Sequence, residues 1–383
     1  MSQFDIKIIT SIADINTDDW QKLKPCPSKS NTPFISREFL MALESSGSVG
    51  HNTGWLPQHL AIFSGEDLLG LQISYLKTHS YGEYVFDHAW ANAYHQHQIP
   101  YYPKLVSCIP FTPVTGSKLL INRDYQAKDV VAMLYEQIPI IVNTMDSSSW
   151  HGLFWPEKIT NECPTEFAQR TQVQFEWHNR AYSNFDAFLS QLKARKRKMI
   201  TKERESVKAS GISIRRLVGA KIDEAAMHRF TQCYQATYIK RSGHTGYLTP
   251  EFFQQIRSTM PNNILLVEAY QDNSFVAAAL CFVDDKALYG RYWGALQDIS
   301  HLHFECCYYQ GIEFAIENKL SLFNPGTQGE HKLARGFEAI NCHSYHYLVH
   351  PDFQQAVINF CAHERELVAD YAAECVRATP YKS

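Results

Sequence analysis

Apolar and polar positions along this chain fall into short blocks, and the spacing within each block separates strand from helix. Ile264-Leu265-Leu266-Val267-Glu268-Ala269-Tyr270 is a nearly unbroken apolar run closed by turn residues, which predicts a buried strand. From Ser36 to Leu43 the apolar residues Phe39, Leu40 and Leu43 recur at helical spacing, with Pro33 upstream and Ser36 placed to cap. Thr249-Pro250-Glu251-Phe252-Phe253 predicts a second helix start, because threonine can cap, proline suits the first turn and Glu251 suits the positive end of the helix dipole. His303 to Asn318 predicts a third helix, with Phe304, Cys307, Tyr308, Gly311, Ile312, Ala315 and Ile316 apolar, and Ser321-Leu322-Phe323 a short strand after it.

The pattern also repeats. Tyr81-Gly82-Glu83-Tyr84 and Tyr289-Gly290-Arg291-Tyr292 are 208 positions apart, and the same shift lays Leu68-Leu69-Gly70-Leu71 on Val276-Ala277-Ala278-Ala279 without a gap. Each half reads as a strand, a polar turn (Ser64-Gly65-Glu66-Asp67 or Gln271-Asp272-Asn273-Ser274), a small-residue strand and an aromatic strand. A duplicated α/β module follows, with Cys163 to Gln174 between the copies. The expected domains are residues 1–170 and 175–383, in line with a length of 383 residues, which exceeds one ordinary core.

Composition narrows the function classes. Hydrophobic residues at 45% and charged residues at 20% describe a globular chain, and a net charge of -3 predicts no general attraction to nucleic acid or anionic lipid. No apolar run approaches the roughly 20 residues of a membrane span. The start lacks a basic, then apolar, leader pattern, and the 10 cysteines include no C-x-x-C. A cytoplasmic protein with reduced thiols and no metal site is expected.

The candidate chemistry is concentrated in two stretches. Asn324-Pro325-Gly326-Thr327-Gln328-Gly329-Glu330-His331-Lys332-Leu333-Ala334-Arg335-Gly336-Phe337 follows a strand and collects glycines, an acid, a histidine and two cations. Glycines admit a ligand close to the backbone, Lys332 and Arg335 suit phosphate or carboxylate, and Glu330 or His331 could take a proton from an amine. Neither a P-loop nor a G-x-G-x-x-G occurs. In the first half, Lys77 and His79 precede Tyr81, Glu83, Val85 and Asp87, which as a strand would share one face and read as cleft walls, or as a buried strut such as Glu83–Lys77 or Asp87–His88. A basic run from Lys193 to Arg204 is either a solvated helix face or a phosphate-binding edge.

These segments resemble the FemAB-like predicted N-acyltransferases, a bacterial family also described as peptidoglycan biosynthesis/recognition proteins. The likeness is carried by Thr53-Gly54-Trp55-Leu56-Pro57, His79 through Asp87 with Trp90-Ala91, and Tyr101-Tyr102-Pro103-Lys104-Leu105. Tyr289 through Gly294, Leu302-His303-Phe304-Glu305 and Gly329 through Phe337 continue it, from about Pro33 to Pro351. The resemblance implies two tandem GNAT-like domains, each a mixed, mainly antiparallel sheet flanked by helices. Arg195 to Lys202 resembles the R-x-x-I-x-K helix that opens the second domain, and Lys332 with Phe337 its late Lys/Phe segment. The Gln/Arg-x-x-Gly-x-Gly/Ala loop of acetyl-coenzyme-A-dependent members is missing, and Thr327 stands where alanine is expected.

The implied activity is transfer of an acyl or aminoacyl group from an activated donor to an amine, by direct attack in a cleft between the domains. No tightly bound cofactor is expected; acyl-CoA, acyl carrier protein or aminoacyl-tRNA would be the co-substrate, the last with its RNA end on residues 193–204. Glu330 or Glu83 would act as base, with His331 and Tyr81 also in the catalytic set. Lys332, Arg335, Gly329, Gln328, His303, Glu305, Arg291, Tyr289, Lys77, His79, Asp87, Trp90 and Lys104 would bind donor or substrate. A non-catalytic module for a peptide, glycan or lipid is the alternative.

Overall fold

The computed structural model describes residues 4–26, 32–156, 163–327 and 329–382. Strands β1 to β9 are Phe4–Ile9, Leu23–Pro25, Trp55–Pro57, His59–Ser64, Asp67–Gln72, Tyr75–Lys77, Lys104–Ser107, Leu119–Asn122 and Ser149–Trp155. Strands β10 to β16 are Ala168–His178, Ile212–Val218, Ile264–Gln271, Ser274–Val283, Ala287–Ala295, Leu322–Asn324 and Glu338–Leu348. Contacts divide the chain into two compact units, Met1–Gln172 with Asn341–Asp370, and Val173–Ile340 with Tyr371–Ser383. The first of these divisions falls after Gln172, and residues 341–370 belong with the first unit rather than with the stretch that precedes them. The cause is local: β16 pairs antiparallel with β9, His346 opposite His151 and Leu348 opposite Ser149.

In the first unit one sheet runs β1-β4-β5-β8-β2 and a second runs β3-β6-β7-β9-β16. The helix Ala127–Thr144 turns Val130, Val131, Leu134 and Ile138 onto the first sheet, where they meet Leu60, Ile62, Leu69 and Leu119. In the second unit the order is β11-β12-β13-β14-β15-β10, antiparallel except for the parallel pair β14–β15. Its core includes Leu265, Val267, Ala277, Ala279, Leu288, Ile312, Phe323 and Phe337, and each large apolar side chain buried there is worth about 1.5–3 kcal/mol.

Several sequence readings hold in detail. Ser36 caps the helix Arg37–Ser45 by accepting from the Phe39 N–H, and Thr249 caps Pro250–Thr259 by accepting from the Phe252 N–H. The matched hairpins exist as β4–β5 and β12–β13. The third, aromatic strand exists only in the second half, where Tyr289 to Tyr292 lies in β14. Tyr81 to Tyr84 is instead a turn, because Gly82 (φ 82°) and Tyr84 (φ 62°) are left-handed and cannot continue an extended strand. β8, not this segment, pairs with β5.

Candidate functional site

The second unit gathers its chemistry where β14 and β15 part. Pairing covers Ala287 to Tyr289 against Leu322 to Asn324 and then ends, while β14 runs on to Ala295. The loop after β15 is tied down at its root: Asn324 accepts from the Gly326 N–H at 3.0 Å and donates to Glu176 of β10 at 3.1 Å. Burial raises the Glu176 carboxyl above its ordinary range. Gly329, at φ 105°, turns the loop into the short 3-10 helix Glu330–Arg335, and a Cβ there would lie 2.4 Å from the His331 ring.

Lys332 is buried and donates to the carbonyls of Gly326 at 2.6 Å and Thr327 at 3.1 Å, so it holds the loop in shape. Burial and the Arg291 guanidinium bring its ammonium down to about 7. His331 Nε2 lies 2.9 Å from the Tyr308 hydroxyl. His303 packs between Trp293 of β14 and Tyr308, with its ring 6.4 Å from that of His331. Burial, then neighbouring positive charge, lowers both imidazoles, His303 to about 4, so both are neutral at pH 7.

The helix Leu302–Glu317 places these rings because its turn Glu305–Tyr309 is a π-turn with one extra residue. Tyr308 meets His331, while adjacent Tyr309 donates to Glu203. Other predicted binding groups are committed elsewhere. Arg335 pairs with Glu203 at 2.6 Å, donates to the His331 carbonyl and lies 3.6 Å from the Phe304 ring centre. Glu305 binds Arg204 and Gln310, Tyr289 donates to Asp284, and exposed Glu330 accepts from Tyr371. Expectations that Arg335 and Glu305 hold the donor give way to these buried contacts, and Gln328 lies outside the described residues.

The first unit brings Lys77, His79, Glu83, Asp87, Trp90 and Lys104 into one network. Fully buried Lys104, on β7, donates to Glu83 at 2.8 Å, to Ser80 at 2.9 Å and to Asp87. This is a buried strut, with Lys104 in the place the sequence reading gave to Lys77 or His88. The two carboxylates raise the Lys104 ammonium, burial raises Glu83, and Lys104 holds Asp87 well below the usual carboxylate range against the cost of burial. Lys77 sits 3.6 Å above the Trp55 ring, and burial lowers it to about 7. His79 meets the Thr53 carbonyl at 3.0 Å, and Tyr81 is exposed.

Sequence reading missed the continuation of this network. Tyr101 donates to Asp87 at 2.7 Å and approaches His151, whose Nδ1 lies 2.6 Å from His346 Nδ1. The two histidines are 195 positions apart and meet only through the β9–β16 register, a non-local fact with no sequence signature. Trp90 packs on His346 at 4.8 Å and beneath Arg170 at 5.4 Å, and Arg170 forms a two-pronged bond to Glu364. Among the described residues no cluster suited to a metal occurs.

The chain thus combines two mixed α/β units, one of which brings a helix histidine, a loop histidine and a buried lysine together where β14 and β15 diverge. The chain belongs to the FemAB-like family, peptidoglycan biosynthesis/recognition, whose model matches residues 11–383. The crystal structure of FemX superposes with a TM-score of 0.51 at 11% identity, covering 90% of this chain and 99% of that one. That likeness shows the tandem GNAT-like fold expected from the sequence. A tandem GNAT protein from the clavulanic acid biosynthesis pathway gives 0.49 at 8% identity, with 91% and 99% covered. L-PGS from Bacillus licheniformis gives 0.49 at 8%, with 85% and 95% covered. No curated protein matches the sequence. Family and fold together support a transferase of the acyl or aminoacyl class.

Proposed function

We propose that the second unit transfers an acyl or aminoacyl group from an activated donor to an amine. The observation that carries this reading is the grouping of His303, His331 and Lys332 where β14 loses its partner strand. Beyond Tyr289 β14 runs on without β15 beside it, and this divergence is where an extended, amide-bearing donor would enter. The amine nitrogen attacks the donor carbonyl, and the tetrahedral adduct collapses with the leaving group taking the bonding electron pair. His331 fits the base: with Nε2–H donating to the Tyr308 hydroxyl, Nδ1 keeps a lone pair for the amine proton, which then passes to the leaving group. Lys332 and Arg291 set a positive field for the oxyanion or a phosphate. Glu83 serves the Lys104 strut and Glu330 the Tyr371 contact, which leaves the imidazole as the favoured base.

Among donors, aminoacyl-tRNA is favoured by the helix Ala194–Ala209. Ile200, Glu203 and Val207 face inward, while Arg195, Lys198 and Lys202 share an exposed stripe at spacings of three and four. The test incubates the protein with acyl-CoAs, acylated carrier protein or aminoacyl-tRNA and a panel of amines and amino-terminal peptides, and identifies products by mass spectrometry. An amide from at least one donor is expected. Ligand binding without amide formation from any of them contradicts catalysis and favours a recognition module. If tRNA is the donor, binding falls steeply with added salt, and a flat response excludes that donor.

A further inference from the structure

Among the described residues β1 is the edge strand of the first unit's five-stranded sheet, paired with β4 on one side only. Phe4, Ile6 and Ile8 alternate on one face of it, Asp5, Lys7 and Ile9 on the other. The apolar face does not finish burying itself. Phe4 is 48% exposed and Ile8 41%, and between them and the helix Ala127–Thr144 runs a groove of about 450 Å³ whose far wall includes Ile140, 58% exposed. Neither a proline nor a bulge blunts β1.

The spacing of its charges identifies an occupant. Two copies of β1 related by a two-fold axis normal to the sheet pair antiparallel and keep the same faces up, so only registers centred on a residue opposite itself are allowed. Centring on Asp5 sets Asp5 against Asp5, and centring on Lys7 sets Lys7 against Lys7. Centring on Ile6 places Asp5 opposite Lys7 of the second copy and Lys7 opposite its Asp5, with Phe4 against Ile8 and Ile6 against Ile6. Like charges directly opposite destabilise a pair and unlike charges favour it. We infer that β1 is a homodimer edge, joining two copies of this chain in the Ile6-centred register into one continuous sheet. A second copy's β1 and its helix Ala127–Thr144 would also cover Phe4, Ile8 and Ile140, burying the apolar groove.

Charge-swap variants of the full chain, followed by sedimentation equilibrium, test this register. Wild type is expected to dimerise. Lys7→Glu sets two carboxylates opposite Asp5 at both ends of the pair, and Asp5→Lys sets two ammoniums there. Each should weaken the dimer by about tenfold or more. The double variant Asp5→Lys/Lys7→Glu restores both pairs and should return the dissociation constant to within about threefold of wild type. Both positions are exposed, so each variant is expected to fold, which circular dichroism checks. A wild type that stays monomeric at about 100 μM overturns the inference, as does a double variant no tighter than the singles.

Discussion

At the scale of single residues, geometry separates groups that hold the fold from groups left for chemistry. Arg335 reads in sequence as a donor-binding cation, yet it is nearly enclosed and answers Glu203 with side-chain exposures of 6% and 8%. Arg335→Met leaves the buried Glu203 with the Tyr309 hydroxyl but without its cation, so thermal unfolding should show a loss of about 3–5 kcal/mol. Unchanged stability would return Arg335 to the site. Buried lysines set a pH dependence. Lys77, Lys118 and Lys332 titrate near 7 in the fold against an ordinary value near 10.5, so above about pH 7 the unfolded chain holds protons that the folded chain has released. Stability should therefore rise with pH between about 7 and 10, and Lys118→Met should flatten part of that slope in denaturant titrations. A slope unchanged by the substitution would contradict the assignment.

At the scale of elements, the sequence was most legible where local physics decides. Caps at Ser36 and Thr249, the strand at Ile264 and the helix from residue 302 follow from side-chain chemistry within a turn or two. The aromatic motif at Tyr81 was misread because its alternation suits a strand, while the left-handed Gly82 and Tyr84 and the pull of Lys104 on Glu83 make a turn. The π-turn at Glu305–Tyr309 had no sequence signal, although it directs Tyr308 and Tyr309 to different partners. The loop from Asn324 depends on Gly329. In Gly329→Ala the new methyl meets the His331 ring, and a positive φ strains any L side chain at a cost of about 1–2 kcal/mol. Turnover should fall by about tenfold or more through the displaced imidazole while the fold survives. Wild-type turnover would show that His331 need not hold this position.

At the scale of the whole molecule, the two-module plan and the family were legible because hairpin register and distinctive blocks are local or collinear. The return of residues 341–370 to the first unit and the His151–His346 contact were not, since both arise from pairing β16 with a strand nearly 200 positions away. No helix among the described residues is long and apolar enough to cross a membrane. The two units share a hairpin but not their chemistry: the first carries a carboxylate–lysine network, the second a helix histidine beside the loop histidine and lysine.

The most direct measurement is single-turnover amide formation, with the donor that supports transfer, by wild type and by His331→Gln preparations matched for folding. Loss of the base predicts a rate lowered by about 10²–10⁴, with donor affinity little changed. Transfer at the wild-type rate in His331→Gln would contradict the catalytic assignment of the second unit.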